Sequence, residues 1–155
     1  QGFTLVEIMI VVVIVGLLAA IAIPAMNAIR DRSFASRFAN DLRQLRDACN
    51  LYYMENGELP DSGSGRIDQE TELKAYLDAS FDRNAAPIVG GEWDTEGTED
   101  GANGLVTAGA GIDFGGDDPR LEIMRKADAI LDDGDLDAGA AYFVSSRRYY
   151  WVIEP

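Results

Sequence analysis

Residues 1–29 read Gln1-Gly-Phe-Thr-Leu-Val-Glu7-Ile-Met-Ile-Val-Val-Val-Ile-Val-Gly16-Leu-Leu-Ala-Ala-Ile-Ala-Ile-Pro24-Ala-Met-Asn-Ala-Ile29. After Phe3 a single charge, Glu7, interrupts the apolar run, and from Ile8 to Ile29 no side chain is charged. A helix needs about 20 apolar residues to cross the hydrocarbon core of a bilayer. A buried core helix accounts poorly for this stretch, because such a helix rarely stays apolar on every face over about six turns. The segment is therefore expected to sit in a membrane or in an equally apolar assembly. It has no positive n-region and no small-residue cleavage site after the apolar run, so it does not read as a cleaved signal peptide.

Glu7 is the anomaly in that segment. An ionised carboxylate in hydrocarbon costs several kcal/mol unless something pairs with it. The first basic residue is Arg30, roughly 35 Å along a helix that rises about 1.5 Å per residue. The sequence thus points to the chain's own α-amino group, a neighbouring molecule or the headgroup layer as the partner. A carboxylate serving only as a polar flank at the interface stays open beside these.

Charge divides the chain. In residues 1–57 the acids Glu7, Asp31, Asp41, Asp47 and Glu55 balance Arg30, Arg32, Arg37, Arg43 and Arg46, so residues 58–155 carry the whole formal charge of −14. Such an acidic part favours solubility, repels nucleic acid and anionic lipid beyond the anchor, and excludes a nucleic-acid partner. Phe34, Phe38, Leu42, Leu45, Cys49 and Tyr52/Tyr53 recur at helical spacing and form one amphipathic stripe. Arg43 and Asp47 fall off it, toward solvent or other subunits. Asn56-Gly57 is expected to end the helix, since Gly takes the left-handed C′ conformation, and Pro60 bars its return. Gly16 and Pro24 mark weak points upstream, Pro by removing a backbone donor and crowding the preceding turn. The division is an apolar helix over 1–29, an amphipathic continuation over 30–57, and an acidic head over 58–155.

The head pattern is mixed. Residues 62–65 form a Ser/Gly loop. Asp68 is placed to cap a short helix in which Leu73, Tyr76, Leu77 and Phe81 line one face. Pro87 to Trp93 reads as an irregular strand entry, whose glycines suggest close backbone approach or a bulge. Residues 104–109 suggest a short strand. Asp118-Pro119 suggests an N-cap and first position for a second helix, with Leu121, Met124, Ala127, Ile130 and Leu131 on its apolar side. Residues 140–144 and 149–153 suggest a strand pair across Ser145 to Arg148. The fold class is α+β: a long N-terminal helix packed on a small antiparallel sheet with short helical insertions.

Chemistry is sparse. The chain has no His, so it offers neither a Ser-His-Asp nor a His-metal site. Gly109-Ala-Gly111 and Gly115-Gly116 lack the Lys-Ser/Thr ending of a phosphate loop. Asp133, Asp135 and Asp137 have the alternate spacing of a calcium loop's first ligands, but without its glycine position or its downstream Glu; turn formation explains them equally. Residues 97–101 form another acidic loop with no ligand pattern. Cys49 is the single cysteine, so no intrachain disulfide forms; on the stripe it reads as a buried side chain, with an intersubunit crosslink as the sharper alternative. No enzyme activity, cofactor or metal is expected.

Gly2-Phe3-Thr4-Leu5-Val6-Glu7, followed by the apolar run and Pro24, resembles the processing and assembly segment of type IV pilins and type II secretion pseudopilins. The resemblance implies cleavage between Gly2 and Phe3 by a prepilin peptidase, and N-methylation of Phe3. It gives Glu7 the role of neutralising a neighbouring subunit's N-terminal amine during filament growth. It also implies loss of helix between Gly16 and Pro24 on assembly. One departure is that the sequence opens at Gln1-Gly2, ahead of the expected cut and without a basic leader. The lone cysteine departs from pilins that staple a C-terminal loop with a disulfide. It suits pseudopilins, some of which use calcium instead. The function implied is a structural subunit of a type IV pilus-like filament, a homo-oligomer held in the bacterial inner membrane before assembly. Its filament would be extracellular or periplasm-spanning, with pilus or secretion assembly machinery as partner. A major pseudopilin is the near alternative. A membrane-anchored cation- or ligand-binding module is the alternative of another class, and electron conduction through Phe3, Phe34, Phe38, Tyr52 and Tyr53 a third.

Overall fold

The computed structural model describes residues 2–60, 72–78, 81, 87–96, 109–116 and 118–153. The loop at 62–65, the Asp68 cap, the acidic loop at 97–101 and all but Gly109 of the strand expected over 104–109 lie outside the described residues. In chain order the elements are helix α1 (Leu5–Asn56), a single 3-10 turn (Glu72–Ala75), strands β1 (Glu92–Glu96) and β2 (Gly109–Asp113), helix α2 (Leu121–Leu131), and strands β3 (Ala141–Ser145) and β4 (Arg148–Val152). The chain divides into two compact units, residues 1–33 and 34–155.

The first unit is the start of α1. Every residue from Gly2 to Arg30 is exposed. The helix runs through Gly16 and Pro24 without a break. Its mean hydropathy reaches 3.0 over an 18-residue window, long and apolar enough to cross a membrane.

The second unit holds the core. Ala35, Phe38, Ala39, Leu42, Leu45, Ala48, Cys49 and Tyr52 are buried along α1, which is the stripe read from the sequence, widened by three alanines that let the helix approach closely. Each large side chain buried here contributes about 1.5–3 kcal/mol through the hydrophobic effect. Phe38 stacks on Trp93, with ring centroids 5.9 Å apart, and Phe81 tilts against the same Trp at 5.3 Å. Tyr52 meets Tyr76 edge-on at 5.6 Å. Arg43 and Arg46 correct the expectation for the residues off the stripe. The Arg43 guanidinium donates to the Ile130 carbonyl at 2.7 Å, satisfying a carbonyl in the last turn of α2. Arg46 lies 4.2 Å over the Trp151 ring, a cation–π contact. The helix ends where expected: Gly57 has φ 78, and its N–H donates to the Tyr53 carbonyl at 2.8 Å.

The sheet is antiparallel in the order β1-β2-β4-β3. Trp93, Ile112 and Tyr149 align across three strands on one face, and Asp94, Gly111, Tyr150 and Tyr142 align across all four on the other. Strand β2 was not foreseen as a strand. Its glycines hide the alternation that marks one, and their reason lies opposite: an added Cβ on Gly111 would lie 2.6 Å from Tyr150 Cδ1 and 2.8 Å from Tyr150 Cα. Gly91, at φ 77, is held close in the same way, 2.6 Å in hypothetical Cβ distance from the Asp113 carbonyl. The β3–β4 hairpin matches the sequence reading to within a residue.

Two helical expectations are corrected. Around Leu73 the described chain makes only the 3-10 turn, although Leu73 and Phe81 are buried and Tyr76 and Leu77 pack against the core as expected. Helix α2 starts at Leu121, not at Pro119, and Arg120 occupies its cap without a side-chain hydrogen bond. The Arg120 N–H donates to the Val89 carbonyl at 3.1 Å. That bond holds Arg120 at φ −79 and ψ 73, outside the helical region, so winding starts after it.

Candidate functional site at the start of the long helix

Thr4 and Glu7 form a reciprocal cap. The Thr4 N–H donates to Glu7 Oε2 at 2.8 Å, the Thr4 hydroxyl donates to the same oxygen at 2.7 Å, and the Glu7 N–H donates to Thr4 Oγ1 at 3.3 Å. With α1 starting at Leu5, Thr4 is the N-cap and Glu7 the third helical residue, the S/T-x-x-E capping box. Within the chain, Glu7 thus has a hydrogen-bond partner three residues away. The geometry satisfies amide donors that a helix N-terminus otherwise leaves open. It also places a negative charge at the positive end of the helix dipole. The signature Thr4-x-x-Glu7 is in the sequence, where the reading considers only charged or external partners for Glu7. Both Thr4 donors converge on Oε2, and among the described residues none is directed at Oε1. One carboxylate oxygen is therefore engaged by the cap, while the other can accept from outside.

Gly2 and Phe3 precede the helix. Nothing lies within 4 Å of a Cβ built on Gly2, and Phe3 is 86% exposed, so the Gly2–Phe3 peptide is open to approach. Gly16 likewise meets nothing within 4 Å. Pro24 sits inside α1, where its ring nitrogen cannot donate to the Ala20 carbonyl.

The aspartates after α2 are engaged by their own loop. The Asp135 N–H donates to Asp133 Oδ1 at 2.8 Å, and the Asp137 N–H to Asp135 Oδ1 at 3.1 Å. The Ala140 N–H donates to Asp132. The first two are the side-chain–backbone turns that Asp favours, and the third closes the loop across eight residues. Among the described residues no group of three His, Cys, Asp or Glu side chains is arranged to hold a metal ion.

Two buried tyrosine–aspartate pairs escaped the sequence reading. Tyr149 donates to Asp128, which also accepts from the Gly134 N–H at 2.8 Å. On the opposite face Tyr150 donates to Asp94. All four residues are buried. Burial raises the Asp128 carboxyl above its ordinary value, opposed by the Tyr149 and Gly134 hydrogen bonds and reinforced by the charges of Asp133 and Asp132. Burial, with the Asp128 hydrogen bond and charge, holds the Tyr149 hydroxyl well above its ordinary value, so it stays a donor. Cys49 is buried and its thiol pushed up to about 12, which keeps it unreactive. No sequence signal pairs these residues, since each pair joins segments far apart in the chain.

Comparison with known proteins gives the same N-terminal picture. Residues 1–23 match the prokaryotic N-terminal methylation motif. The chain is 34% identical over 65 residues to the type II secretion system core protein G of Klebsiella michiganensis, covering 42% of this chain and 46% of that protein. It is 31% identical over 87 residues to the core protein G of Aeromonas hydrophila, covering 52% and 61%. It is 37% identical over 75 residues to the fimbrial protein of Neisseria meningitidis serogroup A, covering 48% and 44%. The chain thus spans about half the length of the curated relatives it matches. No solved structure matches it significantly. With a methylation motif at its start, a long apolar-to-amphipathic helix and a small antiparallel sheet, the chain is similar to pilins and pseudopilins over its N-terminal part.

Proposed function

We propose that this protein is the structural subunit of a type IV pilus-like helical filament, anchored in the inner membrane through residues 1–29 and polymerised through those same helices. The observation that carries the reading is the fully exposed, charge-free helix from Ile8 to Ile29 behind a capped Glu7. In water that surface is unfavourable by about 25 cal/mol for each Å² of apolar area, so lipid or other copies must cover it. Cleavage between Gly2 and Phe3 by a prepilin peptidase, followed by methylation, leaves an N-terminal amine beside the capping box. Glu7 Oε1 then accepts a neighbouring copy's amine, while Oε2 stays on Thr4. The cap holds the carboxylate in one orientation before the partner arrives, which lowers the ordering cost of that contact.

The similarity to core protein G favours a secretion pseudopilus as the second form of the same reading. The two differ in where the fibre emerges, at the cell surface or within the envelope.

The test is Glu7→Ala, with membrane insertion and sheared-fibre yield measured together. Normal insertion with sharply reduced fibre is expected. Fibre at the unmodified level would remove Glu7 from assembly. Glu7→Gln separates charge from hydrogen bonding, because an amide accepts from an ammonium group more weakly than a carboxylate does.

A further inference from the structure

The end of the apolar span carries two basic residues, Arg30 and Arg32. We propose that Arg30 and Arg32 form a binding site for the phosphate groups of anionic phospholipids. The inference rests on the reading that residues 8–29 span a bilayer.

The uncharged run from Ile8 to Ile29 measures about 33 Å as a helix, at about 1.5 Å per residue. The hydrocarbon core is about 30 Å thick, and the headgroup regions add roughly 5–7 Å on each side. With Glu7 at one boundary, Arg30 is the first residue past the other. Arg32 lies about 3 Å further along the axis, still within the phosphate layer. Both arginines are exposed, and Ser33 beside them is exposed as well. Asp31 between them is half-buried, and its charge leaves residues 30–33 with a net positive charge. The two ends of the span are therefore opposite in character: a capped acid at one, a basic pair at the other. Only the basic end is attracted to lipid phosphate.

The azimuths decide between a lipid and a protein occupant. Successive residues turn by about 100° on a helix of about 3.6 residues per turn, so Arg30 and Arg32 diverge by about 200°. A single protein surface meets one side of a helix, whereas lipids surround it. Each guanidinium offers a planar fork that matches a phosphate's oxygens, and its charge persists at any relevant pH.

The experiment uses the full chain reconstituted in phosphatidylcholine vesicles with trace spin-labelled phosphatidylglycerol or spin-labelled phosphatidylcholine. The fraction of each label immobilised by the protein is read by electron paramagnetic resonance, alongside carbonate extraction. Wild-type protein should select phosphatidylglycerol roughly two- to fivefold, the scale of about 1 kcal/mol per interfacial basic residue. The R30Q/R32Q variant should lose that selection while resisting carbonate as before. The R30K/R32K variant should keep part of it, since the charge stays and the fork is lost. Equal immobilisation of the two labels by wild-type protein, or selection that survives R30Q/R32Q, overturns the proposal. Weakened self-association of R30Q/R32Q in pure phosphatidylcholine, without lipid selection in the wild type, also overturns it, by giving the arginines to a second copy. Carbonate-extractable protein with neither label immobilised refutes the spanning reading itself, and is distinguishable because phosphatidylcholine too is then unrestricted.

Discussion

Replacing Gly111 by Ala tests whether the glycines of β2 exist to let Tyr150 cross the strand. Tyr150 on β4 and Asp94 on β1 flank Gly111 in the sheet register, and the Tyr150 hydroxyl reaches Asp94 across it. An added Cβ would come within 2.1 Å of the Tyr149 carbonyl oxygen, 2.8 Å of Tyr150 Cα and 2.6 Å of Tyr150 Cδ1. The first of these is backbone, so a rotamer change cannot relieve it and the strands must part. Overpacking of this kind costs about 1–3 kcal/mol. If the Tyr150 ring is also displaced, a hydrogen bond to a buried carboxylate is lost, worth about 1.5–3 kcal/mol. Gly111→Ala should therefore destabilise by roughly 2.5–6 kcal/mol if both act, a large part of the about 5–15 kcal/mol that holds a typical domain together. The assay is urea unfolding of a 29–155 fragment followed by tryptophan fluorescence. Gly116→Ala is the control, because nothing lies within 4 Å of its added Cβ, and it should stay within about 0.5 kcal/mol of wild type. A double-mutant cycle with Tyr150→Phe sharpens the argument. If the alanine acts by breaking the tyrosine–aspartate bond, it must cost less once that hydroxyl is gone. A Gly111→Ala variant within about 0.5 kcal/mol of wild type, or strictly additive effects in the cycle, would refute the reasoning.

The 29–155 fragment itself should be a soluble monomer with an α+β circular dichroism spectrum and a cooperative melt, since the buried stripe from Ala35 to Tyr52 is intact in it; aggregation or a non-cooperative melt would show that the apolar segment is needed for the core. Added Ca²⁺ should leave its melting midpoint unchanged, because the loop aspartates already accept from their own backbone, and a rise in the midpoint would reveal binding to the folded state. Asp128 gives the pH dependence. Its carboxyl is raised in the folded state from 3.8, so the folded chain retains a proton that the unfolded chain releases, and this contribution is fully present below the unfolded value and lost as pH rises through the folded one. Urea midpoints of wild type relative to Asp128→Asn should therefore fall as pH rises above the ordinary carboxylate value of 3.8, and a pH-independent difference would contradict the burial argument. In the assembled fibre, helix should be lost between Gly16 and Pro24, where α1 already lacks one backbone donor, whereas the segment stays helical in lipid because unsatisfied backbone groups are costly there; a high-resolution fibre map with unbroken α-helix from Leu5 to Asn56 would exclude it.

What could be read from the sequence divides by the range of the interaction behind it. The apolar run, the stripe from Phe34 to Tyr53, the stop at Gly57 and the hairpin around Ser145 to Arg148 are set by neighbours within a few residues, and each left a periodic or turn signal. The Thr4–Glu7 box is equally local and its spacing is present, but the cost of a carboxylate in hydrocarbon directs attention to an amine or the headgroup layer rather than to a neighbouring hydroxyl. Strand β2 fails for a different reason. Gly109 and Gly111 are glycine because Tyr150, about forty residues later, occupies the space over them, and a strand whose alternate side chains are absent shows no alternation. The same long-range tie moved the start of α2, where the carbonyl of Val89 holds Arg120 out of the helix against a strong Asp-Pro start signal. Asp94 and Asp128 are the clearest case. In the sequence they are two among 27 acidic residues, and only the tyrosines that the sheet brings over them separate two buried hydrogen-bond acceptors from the solvated charge around them. A candidate site built on a helix terminus is therefore legible from its own segment, whereas the part of the chain that supports it is specified by pairings that the order of residues does not display.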